Sequence, residues 1–177
     1  MQGLLIDIHD LVGTPGACRP IFKVQPIEGL KVPLAWVEEE DPVQIDLVAE
    51  SLREGVEVTG EVSGRLRLSC SRCLVEYGLP FEQAVGEMFY FSAEEAKEKE
   101  SYAVEAGIID LEQMLRDVVI LGMPVNPVHD PECRGLCPQC GADLNQGDCG
   151  HDREMVDIRW APLKSMLVDQ FPIETSE

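Results

Sequence analysis

Six of the chain's seven cysteines and two of its three histidines fall into four short-spaced pairs. They are Cys70 with Cys73, His129 with Cys133, Cys137 with Cys140, and Cys149 with His151. Donors spaced like this can clamp a metal, carry electrons or form disulfides. In a reducing cell interior disulfides rarely persist, so the clustering points to metal or catalysis. Zinc takes four N or S donors tetrahedrally, usually as two close pairs from separate chain segments. In Cys-x-x-Cys both sulfurs face one ion while the intervening backbone N–H groups point towards them. Gly141, directly after Cys140, relieves the backbone at that tight turn. The segment 137–151, CPQCGADLNQGDCGH, therefore reads as a knuckle with three thiolates and one imidazole.

The other two pairs, 70/73 and 129/133, lie far apart in sequence. They make a second Cys3His set if the segment before Cys133 folds back on the loop that carries Cys70. A competing partition keeps one ion, with Cys133 in place of His151 and with Cys70 and Cys73 as unliganded thiols. The expected cofactor is accordingly Zn2+, one ion or two. His9 and Cys18 stand outside the pairs, and Cys18 is expected to be a buried apolar residue.

Other chemistries fit less well. A catalytic zinc keeps an open position for water, whereas here enough donors exist to close each site. A thioredoxin-like pair sits at a helix start after a strand in a βαβ unit, and Cys70 instead ends a strand pattern. Iron bound as in rubredoxin stays open, because Cys137-Pro-Gln-Cys140-Gly141 resembles that knuckle. The first knuckle, Cys70-Ser-Arg-Cys73-Leu74, lacks the glycine. With no phosphate-binding glycine loop and no Ser/His/Asp set, neither an enzymatic activity nor a small-molecule substrate is expected.

These donors must be held by the elements around them. The stretch 56–70, VEVTGEVSGRLRLSC, alternates throughout: Val56, Val58, Val62, Leu66, Leu68 and Cys70 share one face. Gly60 and Gly64 fall on that inward side, where a bend or close backbone approach is expected. Tyr77, Leu79, Phe81, Val85, Phe89 and Phe91 suggest an antiparallel partner, with CSRCLVE as the hairpin end. Val43, Ile45 and Leu47 mark a half-buried strand, and further strands are expected at 3–9, 20–25 and 31–37. The charge run 92–100, SAEEAKEKE, predicts a solvated loop or a short exposed helix. Asp110 reads as the N-cap of a helix to about Leu121, ended by Gly122 and Pro124, and Asp157 as the cap of a short final helix. The expected fold is α+β: an antiparallel β-rich domain, meander or barrel-like, with one or two short helices and a C-terminal zinc-knuckle segment. The expected division is 1–125 for the β-rich domain and its helix, 126–167 for the Cys/His segment and final helix, and 168–177 for a disordered tail.

Charge restricts the partners. Fourteen Lys plus Arg against 33 Asp plus Glu give a net charge of −19. Such a surface repels a phosphate backbone and attracts basic partners. Each Cys3His set with one Zn2+ adds a further −1. Nucleic-acid contact would have to be small and local, on Arg65, Arg67, Arg72, Arg134 or Arg159, and these also read as ordinary solvated or ion-paired arginines. No apolar run approaches the roughly 20 residues of a membrane helix. The opening MQGLLIDIHDLVG lacks a basic n-region, so the chain is expected to be cytoplasmic.

The order of features, above all SCSRCLVEY at 69–77 and GLCPQCGADLN at 135–145, resembles the bacterial YceD-like family of large ribosomal RNA subunit accumulation proteins. The stretch IIDLEQMLRDVVILGMPVNPVHDPEC and the closing DIRWAPLKSML extend the resemblance over roughly 40–167. It implies a role in the production or stability of large-subunit rRNA, in a family described as metal-binding and nucleic-acid-binding without an assigned enzymatic activity. Histidine stands at 129 and 151 where the family motif leads one to expect cysteine, and both changes exchange one zinc donor for another. With the acidic charge, the implied partner is a basic ribosomal protein or a large-subunit precursor, with limited rRNA contact. A direct RNA-binding zinc module and an iron or thiol redox protein are the alternative readings.

Overall fold

The computed structural model describes residues 4–151 and 159. Its elements in chain order are β1 (Leu5–Asp7), β2 (Cys18–Gln25), β3 (Lys31–Val32), β4 (Ala35–Trp36), β5 (Val43–Ser51), β6 (Gly55–Ser69), β7 (Glu76–Tyr90), α1 (Ala93–Glu98), β8 (Tyr102–Ala103), β9 (Ile108–Asp110) and α2 (Leu111–Gly122). The chain divides into two compact units between Glu132 and Cys133.

The first unit is organised by β6. Its alternating side chains bury Val56, Val58, Val62, Leu66 and Leu68, while Thr59, Glu61, Arg65 and Arg67 stay exposed on the other face. Along one edge β6 pairs with β7 without interruption from Gly55↔Tyr90 to Ser69↔Glu76. Along the other it pairs first with β5 and then, near its end, with β4. Outside these lie β2 on β5 and β3 on β4. Gly60 takes φ +142°, and a side chain there would strike the carbonyl of Asp46 on β5. The expected close approach at this glycine is therefore real.

The sheet does not close into the barrel that the alternation allowed. β2 ends it on one side, and at its other ends stand β3 and β8, each only two residues long. Strands so short cannot reach round to seal an edge. The β7–β8 pair is parallel, in an otherwise antiparallel sheet. The expected strand at 31–37 is instead a hairpin, with β3 and β4 either side of Pro33 and Leu34. Proline offers no N–H to continue a ladder there. The first strand spans only Leu5–Asp7 and pairs with β9 in a separate two-stranded sheet.

α2 starts where its cap predicts. The Asp110 carboxylate accepts from the backbone N–H of Glu112 at 2.9 Å. Its stripe of Leu111, Met114, Leu115 and Val119 is buried in the core. The charge run forms α1, capped by Ser92, and Ala96 alone among its residues is buried. β8 and β9 had no expectation behind them, since two or three residues carry no period. The expected helix from Asp157 and the tail 168–177 lie outside the described residues. Among the described residues, no helix is long and apolar enough to cross a membrane.

Residues 133–151 of the second unit carry little regular structure, as the loop-like composition of 127–152 leads one to expect. An isolated bridge joins Leu136 to Asp143. Among its described residues the buried apolar side chains are Cys133, Cys137 and Leu144.

Candidate metal centres

Two groups of donors come together. Cys70, Cys73, His129 and Cys133 form one, and Cys137, Cys140, Cys149 and His151 the other; within each, the four donor atoms all lie within 4.8 Å of one another. Tetrahedral zinc with sulfur at about 2.3 Å and nitrogen at about 2.0 Å needs donors about 3.5–3.8 Å apart. Cys73 Sγ stands 3.5 Å from His129 Nδ1, and Cys137 Sγ stands 3.9 Å from His151 Nδ1. Each set of four donors could hold one metal ion.

The two knuckles are built alike, residue for residue. In the first, the Leu74 N–H donates to the Cys70 carbonyl at 2.8 Å and the Cys70 N–H to Val75 O at 2.9 Å. In the second, the Gly141 N–H donates to Cys137 O at 2.8 Å and the Cys137 N–H to Ala142 O at 2.8 Å. The β pairing of Ser69 with Glu76 flanks the first, and that of Leu136 with Asp143 flanks the second. The first knuckle is thus the tip of the β6–β7 hairpin. The stretch 127–131 is fastened to it by two bonds, Ser71 N–H to Pro127 O at 2.8 Å and Arg72 Nη1 to Pro131 O at 3.0 Å. These hold His129 beside Cys73, and its ring tilts against Tyr77 with centroids 6.3 Å apart.

At the first cysteine of each knuckle the electrostatics favour thiolate, the form that binds metal. Burial pushes the Cys70 thiol up, but hydrogen bonds from the His129 ring and from the backbone of His129, Arg72 and Cys73 outweigh it and bring it down from 9.0 to about 5. Cys137 is brought down to about 6, first by the backbone N–H groups of Cys140 and Gln139. The Ala142 N–H draws Cys140 down, yet hydrogen bonds shared with Cys137 and Cys149, burial and the charge of Cys137 together outweigh it and leave Cys140 raised. Burial, with the Cys70 thiolate nearby, raises Tyr77.

The groups differ in exposure. Cys70, Cys73 and Cys133 are buried and His129 is exposed; in the other group only Cys137 is buried, with Cys140 and His151 exposed. Cys18, expected inside, is exposed. It lies on β2, where every second residue faces away from the core.

Asn145 carried no expectation. Its side-chain amide donates to Cys133 Sγ at 3.6 Å, while its Oδ1 accepts from the Arg134 N–H at 2.7 Å. Asp143 in turn holds that amide at 2.7 Å. The sequence signal was present in GADLN, but nothing in the spacing says that an asparagine reaches a cysteine twelve residues earlier. Arg65 and Arg67 are exposed on β6, and a side chain at Gly78 would meet their Nη1 atoms at 3.8 and 3.9 Å. Arg67 Nε also lies 3.9 Å from Glu38. Arg72 is tied to Pro131, and Arg134 is exposed.

An antiparallel sheet whose longest hairpin ends in one cysteine knuckle, followed by a second knuckle with its own donor set, defines a β-rich protein with two Cys3His groups that could each hold a metal ion. The family described as large ribosomal RNA subunit accumulation protein YceD matches residues 58–167, a span that includes both clusters, and the chain belongs to that family. It is 36% identical over 169 residues to the uncharacterized protein Rv2926c of Mycobacterium tuberculosis, covering 93% of this chain and 75% of that one. It is 32% identical over 179 residues to ML1660 of Mycobacterium leprae, covering 98% and 82%. Over 70 residues it is 33% identical to the chloroplastic large ribosomal RNA subunit accumulation protein YCED homolog 1 of Arabidopsis thaliana, covering 40% and 22%. No solved structure matches the chain significantly.

Proposed function

We propose that this chain is a non-enzymatic, cytoplasmic factor in the making of the large ribosomal subunit, with one structural zinc ion in each Cys3His set. In this reading Cys70, Cys73, His129 and Cys133 ligate the first ion, and Cys137, Cys140, Cys149 and His151 the second. The observation that carries it is the coincidence of family membership with two donor sets that leave no open coordination position. A closed site orders the chain and offers no place for substrate. In the second unit, ligation of Cys137, Cys140, Cys149 and His151 would tie the polar loop 137–151 together. The net charge of −19 selects a basic ribosomal protein, or a protein face of the large-subunit precursor, as the surface met.

Sedimentation of a gently prepared lysate tests this role. The protein is expected to travel with large-subunit precursors, and to lose that association in a Cys140→Ser variant that has lost zinc. Recovery only at the top of the gradient contradicts it.

A second reading, direct RNA contact, is favoured by the convergence of Arg65 and Arg67 over Gly78. It predicts RNA affinity that falls steeply with salt and on replacement of either arginine. Salt-insensitive binding excludes it.

A further inference from the structure

Where β2, β5 and β6 adjoin, the outer face of the sheet carries apolar and acidic groups against its own stability, with Arg65 and Arg67 further along β6 on the same face. Phe22 and Val24 on β2 and Val48 on β5 stand 65, 55 and 39% exposed. Asp46 lies directly opposite Glu61 on this face, and Glu50 directly opposite Glu57. Like charges so placed repel and weaken an antiparallel pair. Among the described residues none of the four makes an ion pair. The cross-strand rows Phe22–Asp46–Glu61–Ala84 and Val24–Gln44–Ser63–Glu82 contain no lysine or arginine. Val24, Pro42, Gln44, Ser63, Pro80 and Glu82 line a groove of about 540 Å³ beside them.

Exposed apolar side chains set among unpaired carboxylates describe one kind of occupant. We propose that this face docks a cationic polypeptide segment in which lysines or arginines flank an apolar side chain. The apolar group sits on Phe22, Val24 and Val48, and the cations lie between the opposed carboxylates and relieve their repulsion. The segment lies across the face and does not extend the sheet, since Pro20 on β2 offers no N–H to a further strand. Nucleic acid has the wrong sign of charge. The proposal deepens the ribosomal reading and rests on it for the partner's identity, since basic ribosomal proteins carry such segments; the docking itself is measurable without it.

The test uses the full, metal-loaded chain and a labelled twelve-residue peptide alternating lysine with leucine, beside its glutamate-for-lysine counterpart and a twelve-nucleotide RNA. Fluorescence anisotropy is expected to show binding of the lysine peptide alone. Phe22→Ser is expected to weaken it about tenfold. Glu61→Lys is expected to weaken it at least as much while raising the melting temperature, because it replaces repulsion from Asp46 with attraction. A merely structural residue would move both in the same direction. Peptide affinity unchanged in both variants would mean general attraction to an acidic chain and would overturn the proposal. Absence of peptide binding, or preference for the RNA, would overturn it equally. Intact cosedimentation with precursors but no peptide binding overturns this proposal and leaves the ribosomal role standing. Peptide binding at this face without cosedimentation does the reverse.

Discussion

Leu74 and Gly141 hold the same place in their two knuckles. Each follows the second cysteine, each donates to the carbonyl of the first at 2.8 Å, and each has left-handed backbone, with φ 62° for the leucine and 73° for the glycine. The geometry is one that glycine adopts freely and a branched side chain resists. Leu74 is also 59% exposed, so no burial compensates the strain.

Leu74→Gly should therefore stabilise the metal-loaded protein by roughly 1 kcal/mol, even after the greater entropy glycine has when unfolded. For a chain of this size that is a rise of about 2–4 °C in melting temperature. A fall on thermal unfolding would show that the Leu74 side chain makes a contact that outweighs the strain.

The two donor sets should part with metal unequally. Three buried sulfurs shield the first, whereas Cys140 and His151 lie open in the second. A chelator added to the loaded protein should remove one ion quickly and the other slowly. Amide exchange should rise first in residues 133–151, with β5, β6 and β7 still protected, since their core needs no metal. Simultaneous loss of both ions with collapse of the sheet would contradict this.

Asn145→Ala should lower metal affinity at the first set by about tenfold or more, because the amide that fixes Cys133 Sγ is lost. Competition against a chelating dye measures it. Equal affinity would assign Asn145 to loop structure through Arg134 and Asp143 alone.

Tyr102 Oη donates to Asp117 Oδ2 at 2.9 Å, and burial with this carboxylate raises its pKa. A phenol whose pKa is raised on folding contributes stability below its ordinary value near 10 and loses it as pH climbs further. Tyr102→Phe should cost about 1 kcal/mol at neutral pH. The gap to wild type, followed by denaturant unfolding, should narrow above about pH 10. A gap independent of pH would contradict it.

The parts of this molecule legible in the sequence are those with a period or a spacing. Val56 to Leu68 alternates over enough residues to fix a strand, its buried face and the hairpin that follows. Asp110 announces α2 because a cap and an apolar stripe agree. The four donor pairs are visible because zinc knuckles have fixed short spacing. What was hidden depends on contacts between residues distant in sequence. Pro33 divides a strand because the chain folds back there, and alternation says nothing of whether sheet edges meet. Cys18 looks like a core residue by type, yet its position on β2 turns it outward. The bonds of Ser71 to Pro127 and of Arg72 to Pro131, which bring His129 to Cys73, follow from backbone positions that no spacing encodes.

The claim that two closed Cys3His sets hold zinc is tested most directly by native mass spectrometry of the purified protein, with elemental analysis of the same sample. The account predicts two zinc ions per chain in a colourless protein, falling to one in Cys140→Ser and to one in Cys70→Ser. A single ion that survives Cys70→Ser, or a coloured, iron-loaded sample, would contradict it.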